Sequence, residues 1–367
     1  MNKIEKEVYF VSTPLHLLHA ISAAMSSGLN KQSFLIIIDQ PASRTNLYIQ
    51  ALGEWEESPF EKLHVFYSTS KNTSEKYGMR KRTLTEIRRI IEEIKPSVIY
   101  TGNDRRIEFL YGLSIMRKLN PDTKCIYMDD GIMTYVPHRY SYESYLEVLF
   151  KRFYYGFHYR RSRIVGGSPF IDEALVSFPD YVHSYLQDKI VKKSNGENLK
   201  SKNAKEFSTI LLKKFSLDSK KVKLLDIVQI LPHRFELKRF KSFFKKVKEM
   251  ISRLSESGYT IGVKYHPQQE GDPLNLRDID KVTILAADIA FEILLPILRD
   301  DAVIIGDVST VLLTAKWLRP DQQIITIRNP EDYRHDKILP LMKRLGIIEL
   351  SSPDEFNGYN IAETSNK

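Results

Sequence analysis

Short β-rich apolar runs recur along this chain with amphipathic stretches between several of them, and that alternation restricts the fold more than any other feature. "EVYFVST", "SFLIIID", "KLHVFYS", "SVIYTGN" and "KCIYMDDG" read as strands, and "TLTEIRRIIEEIK" and "IEFLYGLSIMRKLN" carry a helical period. Strands that alternate with helices pair in parallel, because each return must cross a face of the sheet. After about residue 165 the text turns irregular, "GGSPFIDEALVSFPDY", and then polar and lysine-rich, "DKIVKKSNGENLKSKNAKEFS", which reads as an interdomain linker region with some helix. A second set follows: "KLLDIVQIL", a helix over roughly 236 to 257, "TIGVKYHP", "VTILA", "AVIIGD", "STVLLTAKWL" and "QIITI". The expectation is therefore α/β, with one unit over 1–200 including the linker and another over 201–367.

Composition agrees with two buried cores: 367 residues, 42% hydrophobic and 11% aromatic, are too apolar for a disordered chain. No run approaches the roughly 18 to 20 apolar residues of a membrane span, and the opening "MNKIEKEVYF" places two glutamates where a signal peptide needs an apolar stretch. A cytoplasmic location is expected, with peripheral contact at the inner face of the cytoplasmic membrane as an extension. The single cysteine, Cys125, fits a reducing compartment and leaves no thiols for an internal disulfide or a multi-thiolate zinc site.

The net charge of +9 favours an anionic partner. It concentrates in "YLEVLFKRFYYGFHYRRSR", Tyr145 to Arg163, with Lys151, Arg152, Arg160, Arg161 and Arg163 among aromatic residues, and in "FELKRFKSFFKKVKEM", Phe235 to Met250. Each is either a packed helix with a solvated basic face or a docking surface for anionic lipid. No nucleic-acid recognition motif accompanies them, so no nucleic-acid partner is expected.

In a parallel sheet, chemistry gathers where strands end and helices begin. The residues at those ends are Ser12-Thr13-Pro14, Asp39, Thr101-Gly102-Asn103-Asp104 and Asp129-Asp130-Gly131 in the first half. In the second they are Pro232-His233-Arg234, His266-Pro267 and Gly306-Asp307-Val308-Ser309-Thr310. Asp129 and Asp130 alternate in direction, so one can face a crevice while the other bonds backbone; a turn and a catalytic base both fit. His266 leaves its strand where Pro267 stops it, as a proton donor or acceptor or as a structural histidine bonded to a carbonyl. Gly306 allows a tight exit, and Ser309 or Thr310 can cap the next helix and leave amides for a phosphate. Neither a GxxxxGK[ST] loop nor a GxGxxG after a strand is present, which disfavours P-loop and dinucleotide chemistry.

Taken in order, Asp129-Asp130-Gly131, His266-Pro267 and Ser309-Thr310 resemble the acid-acid-Gly, His-Pro and Ser-Ser/Thr motifs of bacterial sialyltransferases of the lipooligosaccharide and polysialyltransferase type. "FVSTPLHLLHA", Phe10 to Ala20, and "SFPDYV", Ser177 to Val182, look like further parts of that group, so the resemblance spans about residues 8 to 315. It implies a GT-B architecture, two Rossmann-like domains facing each other across a cleft, with a CMP-activated sugar held mainly by the C-terminal one. By the same resemblance Asp130 is the general base for the acceptor hydroxyl and His266 the acid partner at the donor phosphate. Ser309 and Thr310 hold that phosphate with Pro267 and Gly306 nearby, and Glu292 bonds the ribose. Ser12, Thr13, Pro14, Asn103, Asp129 and Gly131 line the acceptor side.

The first serine of the usual Ser-Ser/Thr motif is Val308 here, preceded by Asp307, whose carboxylate repels a phosphate unless it turns away. His233 and Arg234 are candidates for compensating positive charge. The implied reaction is inverting and metal-independent transfer of a nonulosonic acid from a CMP donor to a hydroxyl of an oligosaccharide or glycolipid acceptor, with no cofactor. Alternatives are a GT-B enzyme of another nucleotide sugar, a UDP-sugar transferase or epimerase, and a non-catalytic membrane-docked scaffold.

Overall fold

The computed structural model describes residues 4–26, 28, 30–41, 46–68, 73–136, 145–156, 159, 162, 164–332 and 336–358. The chain divides into two compact units, one of Met1–Ile49 and Glu56–Leu199, the other of Gln50–Trp55 and Lys200–Lys367.

In the first unit the elements run β1 (Glu5–Val11), α1 (Pro14–Ser26), β2 (Lys31–Pro41), α2 (Leu47–Glu54, shared with the second unit), β3 (Phe60–Ser68), α3 (Thr73–Ile94), β4 (Val98–Thr101) and α4 (Ile107–Leu119). They continue with β5 (Lys124–Met128), α5 (Ile132–Tyr135), α6 (Tyr145–Tyr155), β6 (Glu173–Val176), α7 (Ser184–Gln187) and β7 (Ile190–Lys193). The seven strands are parallel in the order β3-β2-β1-β4-β5-β6-β7. The chain builds outward from β1 to β3, then returns to place β4 on the other side of β1. That reversal makes the β1/β4 junction the switch point, where the loops after two neighbouring strands part and leave room for a ligand.

The second unit repeats the plan. It runs α8 (Lys202–Lys214), α9 (Ser219–Lys223), β8 (Ile227–Ile230), α10 (Arg234–Arg239), α11 (Lys241–Glu256), β9 (Ile261–Lys264), β10 (Val282–Leu285) and α12 (Phe291–Leu294). β11 (Val303–Gly306), α13 (Thr310–Leu318), β12 (Ile324–Ile327), α14 (Leu339–Arg344) and β13 (Ile348–Leu350) complete it. Its six parallel strands lie in the order β10-β9-β8-β11-β12-β13, so its switch point falls between β8 and β11. Central strands β4, β8, β9, β11 and β12 are buried at every residue, which is why they read as mainly apolar runs, with Thr101, Gln229, Lys264 and Thr326 as buried polar members.

Two expectations are corrected. The helix expected over 236–257 is two helices, because Phe240, at φ −110° and ψ 52°, breaks the spiral. A capping box between His233 and Glu236 orients α10, while α11 turns to bury Phe244, Val247, Met250 and Ile251 against the second sheet. The segment read as irregular text and linker contains two strands, β6 and the edge strand β7, before helix α8, the helix expected there. β7 pairs on one side only and is largely exposed, so it needs few apolar residues and gives little sequence signal. Ser22 Oγ donates to Asn195 O at 2.6 Å, and Asn198 Nδ2 donates to Ser22 O at 2.8 Å, fastening the chain after β7 to α1.

The basic clusters part company. On α11 the lysines find local partners, Lys246 with Asp354 at 2.8 Å and Lys248 with Asn275 O at 3.2 Å, so this is a packed amphipathic helix. On α6 the apolar side chains face out, with Tyr145, Leu146 and Phe153 at 84%, 75% and 86% exposure, while Arg152 Nε turns back to Tyr159 O at 3.2 Å. Arg160, Arg161 and Arg163 lie outside the described residues. Among the described residues no helix is long and apolar enough to cross a membrane.

His19 of α1 sits wholly inside the first unit with Nδ1 3.2 Å from Ser194 Oγ, and burial pushes its imidazole down to about 4. Between about pH 6.5 and 4 the unfolded chain binds a proton that the folded chain refuses, so stability falls as pH falls through that window. Asp104, pushed up to about 6 by burial, acts in the opposite sense from about pH 6 to 4, so the histidine must be read by difference. Chemical denaturation at pH 7 and pH 5 is expected to show His19→Gln losing about 2 kcal/mol less than the wild type between the two. Equal losses would place the His19 titration elsewhere.

Candidate active site

At the first switch point the sequence Ser12-Thr13-Pro14 starts α1. Pro14 takes the first helical position, where its missing N–H costs nothing, and the Thr13 hydroxyl accepts from His16 N–H at 3.2 Å. This turns His16 inward: it is 1% exposed, with Nε2 2.7 Å from Asp130 Oδ1 and Nδ1 3.3 Å from Ser12 Oγ. Gly102, on the loop after β4, makes room for the ring, since a Cβ there would lie 2.2 Å from His16 Cδ2. Asn103 next to it shapes that loop, its side chain accepting from Arg105 N–H at 3.1 Å. Arg106 pairs with Asp39 at 2.5 Å across the ends of β4 and β2.

The two adjacent carboxylates at the end of β5 have separate fates. Asp129 is buried; its Oδ1 accepts from Gly131 N–H at 2.8 Å, and its Oδ2 accepts from Ser177 N–H at 2.9 Å and from the Tyr135 hydroxyl. Asp130 is 19% exposed, and its only described side-chain partner is His16. Gly131 follows at φ 68° and ψ −133°, a conformation that disfavours any side chain, and there starts α5. Thr134 of α5 closes the turn by accepting from Asp130 N–H at 2.9 Å.

At the second unit's strand ends, His266 follows β9 and His233 follows β8, with ring centroids 4.8 Å apart. His266 Nδ1 accepts from Gln268 N–H at 3.2 Å, so in the neutral ring Nε2 carries the hydrogen. Burial first, then the neighbouring His233 ring and Lys264 ammonium, hold this imidazole below its ordinary range. His233 Nδ1 accepts from Phe235 N–H at 3.2 Å and Nε2 lies 2.7 Å from Gln268 Oε1, so Gln268 ties the two histidines together. Arg234 is exposed, its guanidinium 5.3 Å above the Phe235 ring, and Pro267 is exposed beside His266.

Gly306 ends β11 where Leu312 of α13 and Ile230 of β8 close in; a Cβ there would meet them at 3.1 and 3.2 Å. Ser309 occupies the N-cap position of α13, yet its side chain does not cap, a correction to the capping expected of it. Its Oγ is buried without a hydrogen-bond partner among the described residues. Thr310 opens the helix, and Asp307 Oδ1 accepts from Val308 N–H at 2.7 Å. Glu292 of α12 is buried and its carboxyl is pushed up by burial, with Lys264 acting against that shift. Lys264 itself is driven down to about 8 by burial and donates to Tyr265 O at 2.9 Å and Ala287 O at 2.6 Å.

His16, Lys264 and Gln268 are the members that reading the sequence missed. "STPLH" carries a signal for His16, a proline-started helix straight after a strand, but its partner lies 114 positions away. Among the described residues no group of three or more His, Cys, Asp or Glu is placed to hold a metal ion.

Two parallel-sheet Rossmann-like units are the components of a GT-B-type fold. Similar solved structures include a sialyltransferase from Photobacterium damsela (14% identity, 95% of this chain and 81% of that one, TM-score 0.55) and the GT-B domain of a Photobacterium damselae sialyltransferase (14%, 94% and 97%, TM-score 0.55). The UDP-GlcNAc 2-epimerase of Methanocaldococcus jannaschii is similar as well (15%, 99% and 93%, TM-score 0.56). No curated protein sequence matches the chain. Residues 7–328 match the model of the alpha-2,8-polysialyltransferase family; the chain belongs to that family and is a sialyltransferase-type glycosyltransferase.

The unequal bonding of the two acids predicts unequal effects of removing them. Asp129→Ala strands two backbone N–H groups and a phenol in a buried site and is expected to cost on the order of 3 kcal/mol. Asp130→Ala, part-exposed and bonded only to the buried His16 ring among the described residues, strands one N–H and is expected to cost about 1 to 2 kcal/mol, less than Asp129→Ala. Denaturant midpoints in equal order for both variants would contradict this division of labour.

Proposed function

We propose that the protein transfers a nonulosonic acid, sialic acid or a relative, from its CMP-activated donor to a hydroxyl of a cell-surface glycan, with inversion and without a metal ion. The observation that carries the reading is the division at β5, where Asp129 is consumed by the fold and Asp130 keeps an oxygen for chemistry. In this reading Asp130 takes the proton of the acceptor hydroxyl as its oxygen bonds to the anomeric carbon. The bond from that carbon to the donor phosphate breaks on the opposite face, through an oxocarbenium-like centre that needs little nucleophilic push. One displacement inverts the centre, β in the donor to α in the product, with no enzyme nucleophile.

The departing CMP needs its developing charge met. The His266 Nε2–H, the Ser309 hydroxyl, which has no partner among the described residues, and the first amides of α13 are suited to that, and His233 adds a second imidazole. Because His266 is held below its ordinary range, it offers a hydrogen bond from a neutral ring at neutral pH, and an arriving phosphate favours its protonation.

A CMP-release assay with CMP-Neu5Ac, CMP-legionaminic, CMP-pseudaminic and CMP-Kdo donors, with and without glycan acceptors, tests the reading. Turnover of at least one donor is expected, with Asp130→Ala and His266→Ala each lowering transfer by about 100-fold or more. The likeness to a UDP-GlcNAc 2-epimerase supplies the competing reading, so calorimetry showing UDP bound and CMP ignored would overturn the donor assignment.

For the acceptor side we propose peripheral contact with an anionic membrane through α6, whose outward apolar side chains have the size and setting of an interfacial anchor. Flotation with vesicles containing about a third anionic lipid is expected to carry the wild type and to lose Leu146→Ser/Phe153→Ser. Undiminished flotation of the double variant would remove α6 from the contact.

A further inference from the structure

Asp130 does not reach its position unaided. The ring of His16 is fixed on three sides: its backbone N–H is held by Thr13, its edge rests where Gly102 carries no side chain, and its Nδ1 faces Ser12. Its remaining polar atom, Nε2, touches Asp130 Oδ1 at 2.7 Å. An ionised carboxylate only accepts, so Nε2 carries the hydrogen and donates it. In the neutral ring Nδ1 is then the acceptor, taking the Ser12 hydroxyl hydrogen and fixing the tautomer.

We infer that Ser12 and His16 form a positioning relay that orients Asp130 for the acceptor hydroxyl, with His16 as the residue through which the relay acts. The inference rests on the reading of Asp130 as the base. With Oδ1 occupied by His16, the carboxylate cannot swing freely, and Oδ2, unpartnered among the described residues, is left as the oxygen for the incoming proton. A side chain that pins the base contributes to the transition state without touching substrate, so its loss falls on kcat rather than on acceptor KM. Burial supports this assignment over a surface pairing: at 1% exposure the donor N–H finds no water to replace the carboxylate. The glycine is part of the device, because a methyl group at position 102 would enter the ring's space.

Steady-state kinetics of the full chain, with thermal melts of each variant, test the relay. His16→Phe keeps the volume and removes the donor; kcat is expected to fall by about 100-fold with acceptor KM within about threefold. His16→Gln, whose amide places an N–H near the Nε2 position, is expected to stay within about tenfold of wild type. In an Asp130→Ala background His16→Phe is expected to have no further effect, since the relay has nothing left to orient. Ser12→Ala, at a part-exposed position beside the ring, supplies a second handle, with kcat lowered about three- to tenfold and that loss also absent without Asp130. Wild-type kcat in His16→Phe alongside a crippled Asp130→Ala overturns the relay and leaves the base reading standing. Equal losses in the two backgrounds overturn it too, because His16 would then act independently of Asp130. Wild-type kcat in Asp130→Ala overturns the base reading itself.

Discussion

Every strand in both sheets runs in the same direction as its neighbours, and this constraint organises the rest. A parallel pair cannot be closed by a tight turn, so each connection climbs back across a face and each strand delivers its last residue to one shared rim. In the first unit the polar residues that end β1, β4 and β5 share its rim although they are spread over more than a hundred positions, and in the second unit those ending β8, β9 and β11 share a rim of its own. The reversal of strand order between β1 and β4, and again between β8 and β11, then opens each rim where its loops diverge.

What happens on a rim is decided by how many hydrogen bonds the fold itself claims. Asp129 engages both its oxygens with Gly131, Ser177 and Tyr135, locking the end of β5, the start of α5 and the end of β6 together. Asp130, one residue on, is claimed once. His233 is drawn into a capping box and onto Gln268, whereas His266 spends only Nδ1 on backbone. Ser309 stands at a helix start with its hydroxyl unclaimed among the described residues. Structure and chemistry divide the same residue types between them by counting donors and acceptors.

Burial sets the electrostatic tone of both units. It lowers His19 and His266, lowers Lys264 and raises Glu292, in each case disfavouring the charged form. Lys264 and Glu292 work against each other's shift, an arrangement of compensated charge behind the rim. Cys125, the sole cysteine, is buried with its thiol pushed up and plays a packing part in β5.

The amino-acid sequence by itself determined the fold class, the polar identity of the strand ends and the family-like order of Asp129-Asp130-Gly131, His266-Pro267 and Ser309-Thr310. These are local properties: a central parallel strand must be mainly apolar, and a strand end followed by glycine or proline announces itself within a few residues. The break at Phe240, the edge strand β7 and the failure of Ser309 to cap were decided elsewhere, because each depends on what packs against the segment rather than on the segment. His16 is the sharpest instance. As a residue of "STPLHLLHA" it is one more histidine on an apolar helix, and only the adjacency of β1, β4 and β5 in space puts its ring over Gly102 and its nitrogen on Asp130. Periodicity reports which face a residue takes, but a hydrogen bond between positions 16 and 130 is set by the order of strands in the sheet, which local pattern does not encode.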